Sequence, residues 1–150
     1  MSVVYHTILL VEDDPNDVLL VQRACRKAKV EHPLQVVGDG EAAVAYLAGQ
    51  NAFTDRERYP LPGLILLDLK LPRKSGLEVL AWLREQPKLR RLPVVVLTSS
   101  NETSDINQAY DLGANSYLVK PVAFDNLEDL LRMISRYWMV LNQQPRVEND

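Results

Sequence analysis

Short apolar runs alternate five times with stretches whose apolar residues recur every three or four positions. The first run covers residues 7–11. A helix follows over residues 15–29, with Val18, Val21, Cys25 and Ala28 on its buried stripe. Asp14 suits the N-cap, and Pro15 the first helical position, where its missing N–H costs nothing. Residues 34–37 form a second strand and residues 41–48 a short helix after the Gly38-Asp39-Gly40 turn. The third strand, residues 64–67, is wholly aliphatic, which predicts cover on both faces. Gly76 opens a helix carrying Leu77, Leu80 and Leu83, and Pro93 introduces a fourth strand over residues 94–97. A helix over residues 105–112 is closed by Gly113, a residue that tolerates left-handed backbone. Residues 117–119 form the fifth strand. A last helix over residues 124–141 has Leu127, Leu130, Leu131, Ile134, Trp138 and Leu141 on one side.

Strands alternating with helices predict an α/β fold, a parallel sheet doubly wound by right-handed crossovers with helices on both faces. The flavodoxin-like strand order 2-1-3-4-5, a common one for such sheets and the order expected here, would make strands one and three neighbours at the switch point. The whole chain, residues 1–150, is expected to be one domain, with its core over residues 5–141 and a polar, frayed tail over residues 142–150. Residues 49–63 form the longest connector and carry no motif, so they are expected to be a surface loop.

The chemistry gathers at strand ends. Ile-Leu-Leu-Val-Glu-Asp-Asp, residues 8–14, runs an apolar strand into three acids, and Leu-Ile-Leu-Leu-Asp, residues 64–68, repeats the pattern with one. Neighbouring parallel strands with these ends bring Glu12, Asp13 and Asp68 together, and like charges so held need a cation. Hard oxygen donors suit Mg²⁺, with Mn²⁺ as a substitute. The fourth strand ends at Thr98 and the fifth at Lys120-Pro121. Singly, each of these residues is more often a cap, a turn residue or an exposed charge. Asp14 and Asp17 are read as helix caps. The coincidence at four strand ends on one edge is what carries the reading.

Composition narrows the function classes. A net charge of −3 with scattered basic residues argues against nucleic acid as the main partner, and the trio Lys88, Arg90 and Arg91 fits a solvated loop. Cys25 is the single cysteine, so no internal disulfide is possible, and its place on an apolar stripe suggests a buried thiol. The first apolar run stops at Glu12, too short to span a membrane, and the N-terminus has no basic start. A cytoplasmic, soluble protein is expected.

Val-Glu-Asp-Asp, Leu-Leu-Asp-Leu-Lys-Leu-Pro, Leu-Thr-Ser and Tyr-Leu-Val-Lys-Pro resemble, in order and spacing, the signatures of response-regulator receiver domains of two-component signalling, the CheY-like family. The resemblance implies that Asp68 takes a phosphoryl group from a phosphohistidine of a sensor histidine kinase. It implies direct Mg²⁺ ligation by Asp13, Asp68 and the backbone carbonyl of Lys70, with Glu12 acting through water. Lys120 would pair with a phosphoryl oxygen and Thr98 would donate its hydroxyl to another. It further implies a switch in which Thr98 moves toward the phosphoryl group and Tyr117 turns inward, altering the surface of the fourth helix, fifth strand and fifth helix. A cis Lys120–Pro121 bond is implied as well. Lys70 and Ser100 occupy variable positions that influence acyl-phosphate lifetime in the family. The long connector, Val-Val-Val-Leu-Thr-Ser and the Trp-containing end also resemble the small regulators paired with cyanobacterial phytochrome kinases, which implies a red-light-responsive partner.

After residue 141 the chain offers no room for a DNA-binding or catalytic output module, so output is expected through partner binding, homodimerisation or transfer of the phosphoryl group to another carrier. Tyr137, Trp138, Met139, Val140 and Leu141 are consecutive and wrap more of a helix than one face can bury. With Tyr110 they are candidates for a docking or dimer surface, Tyr137, Trp138 and Leu141 foremost. Three rivals are weaker. A flavin or nucleotide would be repelled by the acids after the first strand, where such proteins need a glycine- or hydroxyl-rich loop. A phosphatase using an aspartyl phosphate needs a second acid two residues after the nucleophile, and that position is Lys70. A receiver serving only as scaffold would not need the full set of Glu12, Asp13, Asp68, Thr98 and Lys120. The protein is therefore expected to act on itself rather than as an enzyme on outside substrates.

Overall fold

The five apolar runs become strands β1 (Ile8–Val11), β2 (Leu34–Val37), β3 (Leu64–Leu67), β4 (Val94–Thr98) and β5 (Ser116–Val119) in a computed structural model that describes residues 6–147. All pairings are parallel and the order is β2-β1-β3-β4-β5. Residue 5, at the expected start of the core, and the last three residues of the tail lie outside the described residues. Between the strands run α1 (Pro15–Lys27), α2 (Gly40–Ala48), α3 (Gly76–Arg84) and α4 (Thr103–Asp111), and α5 (Phe124–Ile134) follows the last.

Side-chain alternation splits the strands between two cores. Leu9, Val11, Ile65, Leu67, Val94 and Val96 face Tyr46, Leu80 and Leu83 of α2 and α3. Ile8, Leu10, Leu64, Leu66 and Val95 face Val21, Leu127 and Leu131 of α1 and α5. β1, β3 and β4 are buried at every position, as aliphatic runs covered on both sides must be. Local signals act as anticipated at the caps: the Asp14 carboxylate accepts from the Asn16 N–H, and Gly113, just past α4, has φ +103°. Cys25 is half-buried rather than fully enclosed, and burial pushes its thiol up to about 11, which leaves it protonated and inert at neutral pH.

Three expectations change. The last helix does not continue as α-helix to residue 141. After Ile134 it widens into a π-helix over Ser135–Leu141, whose i→i+5 spacing moves the inward position by one residue. Met139 is therefore buried, Trp138 half-buried, and Leu141 exposed. The tail is not frayed over residues 142–147. Gln144 donates to the Trp138 carbonyl, Arg91 donates to the Arg146 carbonyl, and Val147 packs against the α2–α3 core. The connector over residues 49–63 is a built structure. Its 3₁₀ turn (Asn51–Phe53) brings Phe53 against Tyr46 and Tyr59, and Arg56 donates to the carbonyls of Tyr46, Leu47 and Tyr59. The guanidinium adds donors to the carbonyls in the last turn of α2, where the intrahelical ladder runs out.

A second arginine ties the α3 side together. Arg84 donates to the carbonyls of Arg90, Leu92 and Gly113 and to the Asn115 side chain. It joins the end of α3 to the approaches of β4 and β5, and so supports the strands whose far ends carry Thr98 and Lys120.

Candidate phosphoacceptor and metal site

Strand register assembles the site. Val11 is paired with Leu67, so Glu12 and Asp68, the next residue of each chain segment, emerge side by side. The Asp68 N–H continues that ladder to the Val11 carbonyl. Thr98 is paired with Val119, which places Lys120 beside it, and the Lys120 N–H donates to the Thr98 carbonyl at 2.8 Å. These contacts aim the lysine. No cis peptide bond occurs among the described residues, so Lys120–Pro121 is trans, contrary to the expectation.

Glu12, Asp13 and Asp68 each offer a carboxylate oxygen within 4.8 Å of the others. Glu12 is 3 % exposed and Asp68 8 %, whereas Asp13 is open to solvent. Burial pushes the Glu12 carboxyl up to about 7, despite bonds from Lys120 and the Asp14 N–H, and the Asp68 charge adds to the rise. Burial acts upward on Asp68 too, but bonds from Thr98 and Lys120 outweigh it and hold that carboxyl below its usual range. One buried acid is thus kept ionised while its neighbour resists ionisation. A divalent cation would resolve the conflict, and three converging hard oxygens are a fitting donor set for Mg²⁺ or Mn²⁺.

The remaining contacts surround Asp68. The Thr98 hydroxyl, fully buried, donates to Asp68 Oδ1 at 2.8 Å, and the Lys70 N–H reaches the same oxygen at 3.3 Å. Lys120 Nζ lies 3.0 Å from Asp68 Oδ2, 3.0 Å from Asp17 Oδ2, and in direct contact with Glu12 Oε1. Burial alone would lower the lysine, but three carboxylate partners raise it above its ordinary value, so it stays an ammonium. Tyr117 donates to the Ser100 carbonyl at 2.9 Å, while the Ser100 hydroxyl donates to Asp105 at 2.5 Å.

Asp17 is the residue that sequence reasoning missed. It reads as a helix cap, yet its carboxylate belongs to the site. Its position was the available signal: a residue in the first turn of a helix that directly follows a strand points back toward that strand's end. The site lies in an open cleft of about 420 Å³. A slightly larger cavity of about 500 Å³, bordered by Leu47, Leu61, Trp82 and Leu89, is mainly apolar and brings no acids together. Chemistry rather than size selects the first. The surface candidates also find their places: Tyr110, Tyr137 and Leu141 are about half exposed, and Trp138 packs edge-on against Tyr137 at 5.0 Å. No helix among the described residues is long and apolar enough to cross a membrane.

Comparison with known proteins bears on this geometry directly. The family model described as the response regulator receiver domain matches residues 8–132. Response regulator Rcp1 of Synechocystis is 44 % identical over 135 residues, covering 88 % of both chains. The crystal structure of the phosphorylated cyanobacterial phytochrome response regulator RcpA superposes with a TM-score of 0.87 at 38 % identity, covering 95 % of this chain and 100 % of that one. The Mn²⁺-bound form of Rcp1 gives 0.83 at 40 % identity, covering 94 % and 99 %. An acid trio, two of its members buried, stands beside a threonine and a lysine on a sheet ordered 2-1-3-4-5 that is matched over most of its length: this chain belongs to the response regulator receiver domain family, signalling phosphoacceptors rather than conventional enzymes.

Proposed function

We propose that Asp68 accepts a phosphoryl group from a phosphohistidine of a sensor histidine kinase of the phytochrome class. The observation that carries this is the convergence of the Glu12, Asp13 and Asp68 oxygens beneath Thr98 and Lys120. In the transfer, an Asp68 oxygen attacks phosphorus, the P–N bond breaks, and the imidazole nitrogen keeps that electron pair. The depressed Asp68 carboxyl is the ionised nucleophile at neutral pH. Lys120 supplies a fixed positive charge for a phosphoryl oxygen, and the Thr98 hydroxyl a donor for another. Asp13, Asp68 and the Lys70 carbonyl would hold Mg²⁺ directly and Glu12 through water, and the ion when bound would screen repulsion between the carboxylate and the phosphoryl oxygens.

The response would run through Thr98 and Tyr117. Thr98 leaves Asp68 Oδ1 for the phosphoryl oxygen, and Tyr117 exchanges its bond to the Ser100 carbonyl for an inward position. The surface of α4, β5 and α5 then changes, with Tyr110, Tyr137, Trp138 and Leu141 as contacts for a homodimer or downstream protein. Resemblance to proteins described as phytochrome and bacteriophytochrome response regulators supports a light-sensing kinase as the donor. Acetyl phosphate with Mg²⁺ should add one labile phosphoryl group by intact mass. Asp68→Asn should abolish the addition, and labelling that persists in that variant would refute the assignment.

A further inference from the structure

Lys120 is held by carboxylates that a metal needs. Its ammonium touches Glu12 and Asp68, two of the three groups in the candidate cation site, and the third contact is Asp17, which stands outside that trio. A divalent cation and an ammonium cannot share the same carboxylate oxygens without repelling each other. Binding of one therefore loosens the hold of the other. Asp17 sits in the first turn of α1, its side chain about one-third exposed, within reach of Lys120 but not of the acid trio as a group.

We propose that Asp17 is a positioning residue: it is the anchor that retains Lys120 at the rim of the cleft when a divalent cation displaces the lysine from Glu12 and Asp68. Resting on the receiver reading above, this assigns Asp17 a part in site loading. Without the Asp17 carboxylate, the ammonium has only Glu12 and Asp68 to neutralise it, and it competes harder for the oxygens that the cation requires. The residue acts through Lys120 rather than on phosphorus or metal.

The alternative for Asp17 is a favourable charge at a helix N-terminus, which would affect stability but not cation affinity. A second alternative is simple through-space attraction of the cation. A Mg²⁺ titration by calorimetry on the full chain separates all three. Asp17→Asn should weaken Mg²⁺ binding about fivefold to tenfold, within the ordinary range of coupling between sites. Asp17→Glu should restore the wild-type affinity to within about twofold, since the charge is kept. Lys120→Ala should bind Mg²⁺ more tightly than the wild type. Adding Asp17→Asn to Lys120→Ala should change nothing further, because the anchor then has nothing to hold. Wild-type affinity in Asp17→Asn would overturn the inference, and so would an equal loss in the Lys120→Ala background. A wild type that binds no Mg²⁺ would overturn the receiver reading itself, a distinguishable result.

Discussion

Glu12 should make cation loading depend on pH near neutrality. The carboxyl is 3 % exposed, and burial raises it to about 7 in the metal-free protein. A carboxylate that supports the ion, directly or through water, does so in its ionised form, so Mg²⁺ must expel whatever proton Glu12 holds. At pH 7 about half the molecules carry that proton, and loading should release about half a proton per ion. Near pH 6 about nine-tenths of them carry it, so apparent affinity should fall about tenfold from its plateau above pH 8. The neighbours do not share this window: Lys120 is held above its normal range and Asp68 below its own. Stability carries the opposite sign. A carboxyl raised on folding stabilises the metal-free fold while protonated, fully so below about 4.5, and that contribution is lost as pH rises through about 7. Calorimetry of Mg²⁺ binding in buffers of different ionisation enthalpy counts the released protons. Glu12→Gln should release none. Proton release that is flat from pH 6 to 8, or unchanged in Glu12→Gln, would refute the argument.

Further predictions concern the scaffold that holds the site. Arg84→Met keeps the aliphatic stem but removes all the donors to Arg90, Leu92, Gly113 and Asn115. Because some of those acceptors can be rehydrated, the cost should be about 2–4 kcal/mol, seen as a fall of roughly 5–12 °C in Tm. The π-helical register predicts that Met139→Ala costs about 2–4 kcal/mol in urea denaturation, while Leu141→Ala stays within about 0.5 kcal/mol; a continuous α-helix would reverse that order. At Gly76 an added Cβ would lie 2.2 Å from the Asp68 carbonyl oxygen. Gly76→Ala should therefore destabilise the protein by more than about 2 kcal/mol and slow labelling by acetyl phosphate, because the clash moves the loop that carries the nucleophile.

Much of this protein is decided by local sequence. The aliphatic runs at β1, β3 and β4 can be satisfied only by strands covered on both faces, and their alternation with amphipathic helices leaves a parallel, doubly wound sheet. The acids at 12, 13 and 68, the hydroxyl at 98 and the ammonium at 120 mark the strand ends whatever the details of packing. Caps such as Asp14 were legible because they act within a few residues. Other features required the folded chain. Asp17 looks like a helix cap until the first turn of α1 is set beside β5: its place in the first turn aims it at the strand edge, but its partner Lys120 stands 103 positions away. The shift from α to π at Ser135 seats Met139 against the core, a contact that local periodicity does not show. The anchoring of the connector by Arg56, the docking of residues 142–147 and the opposite displacements of Glu12 and Asp68 all depend on groups distant in sequence. Periodicity records which face of an element is apolar; which charge stands next to which, and how dry that place is, exist only once the elements are packed.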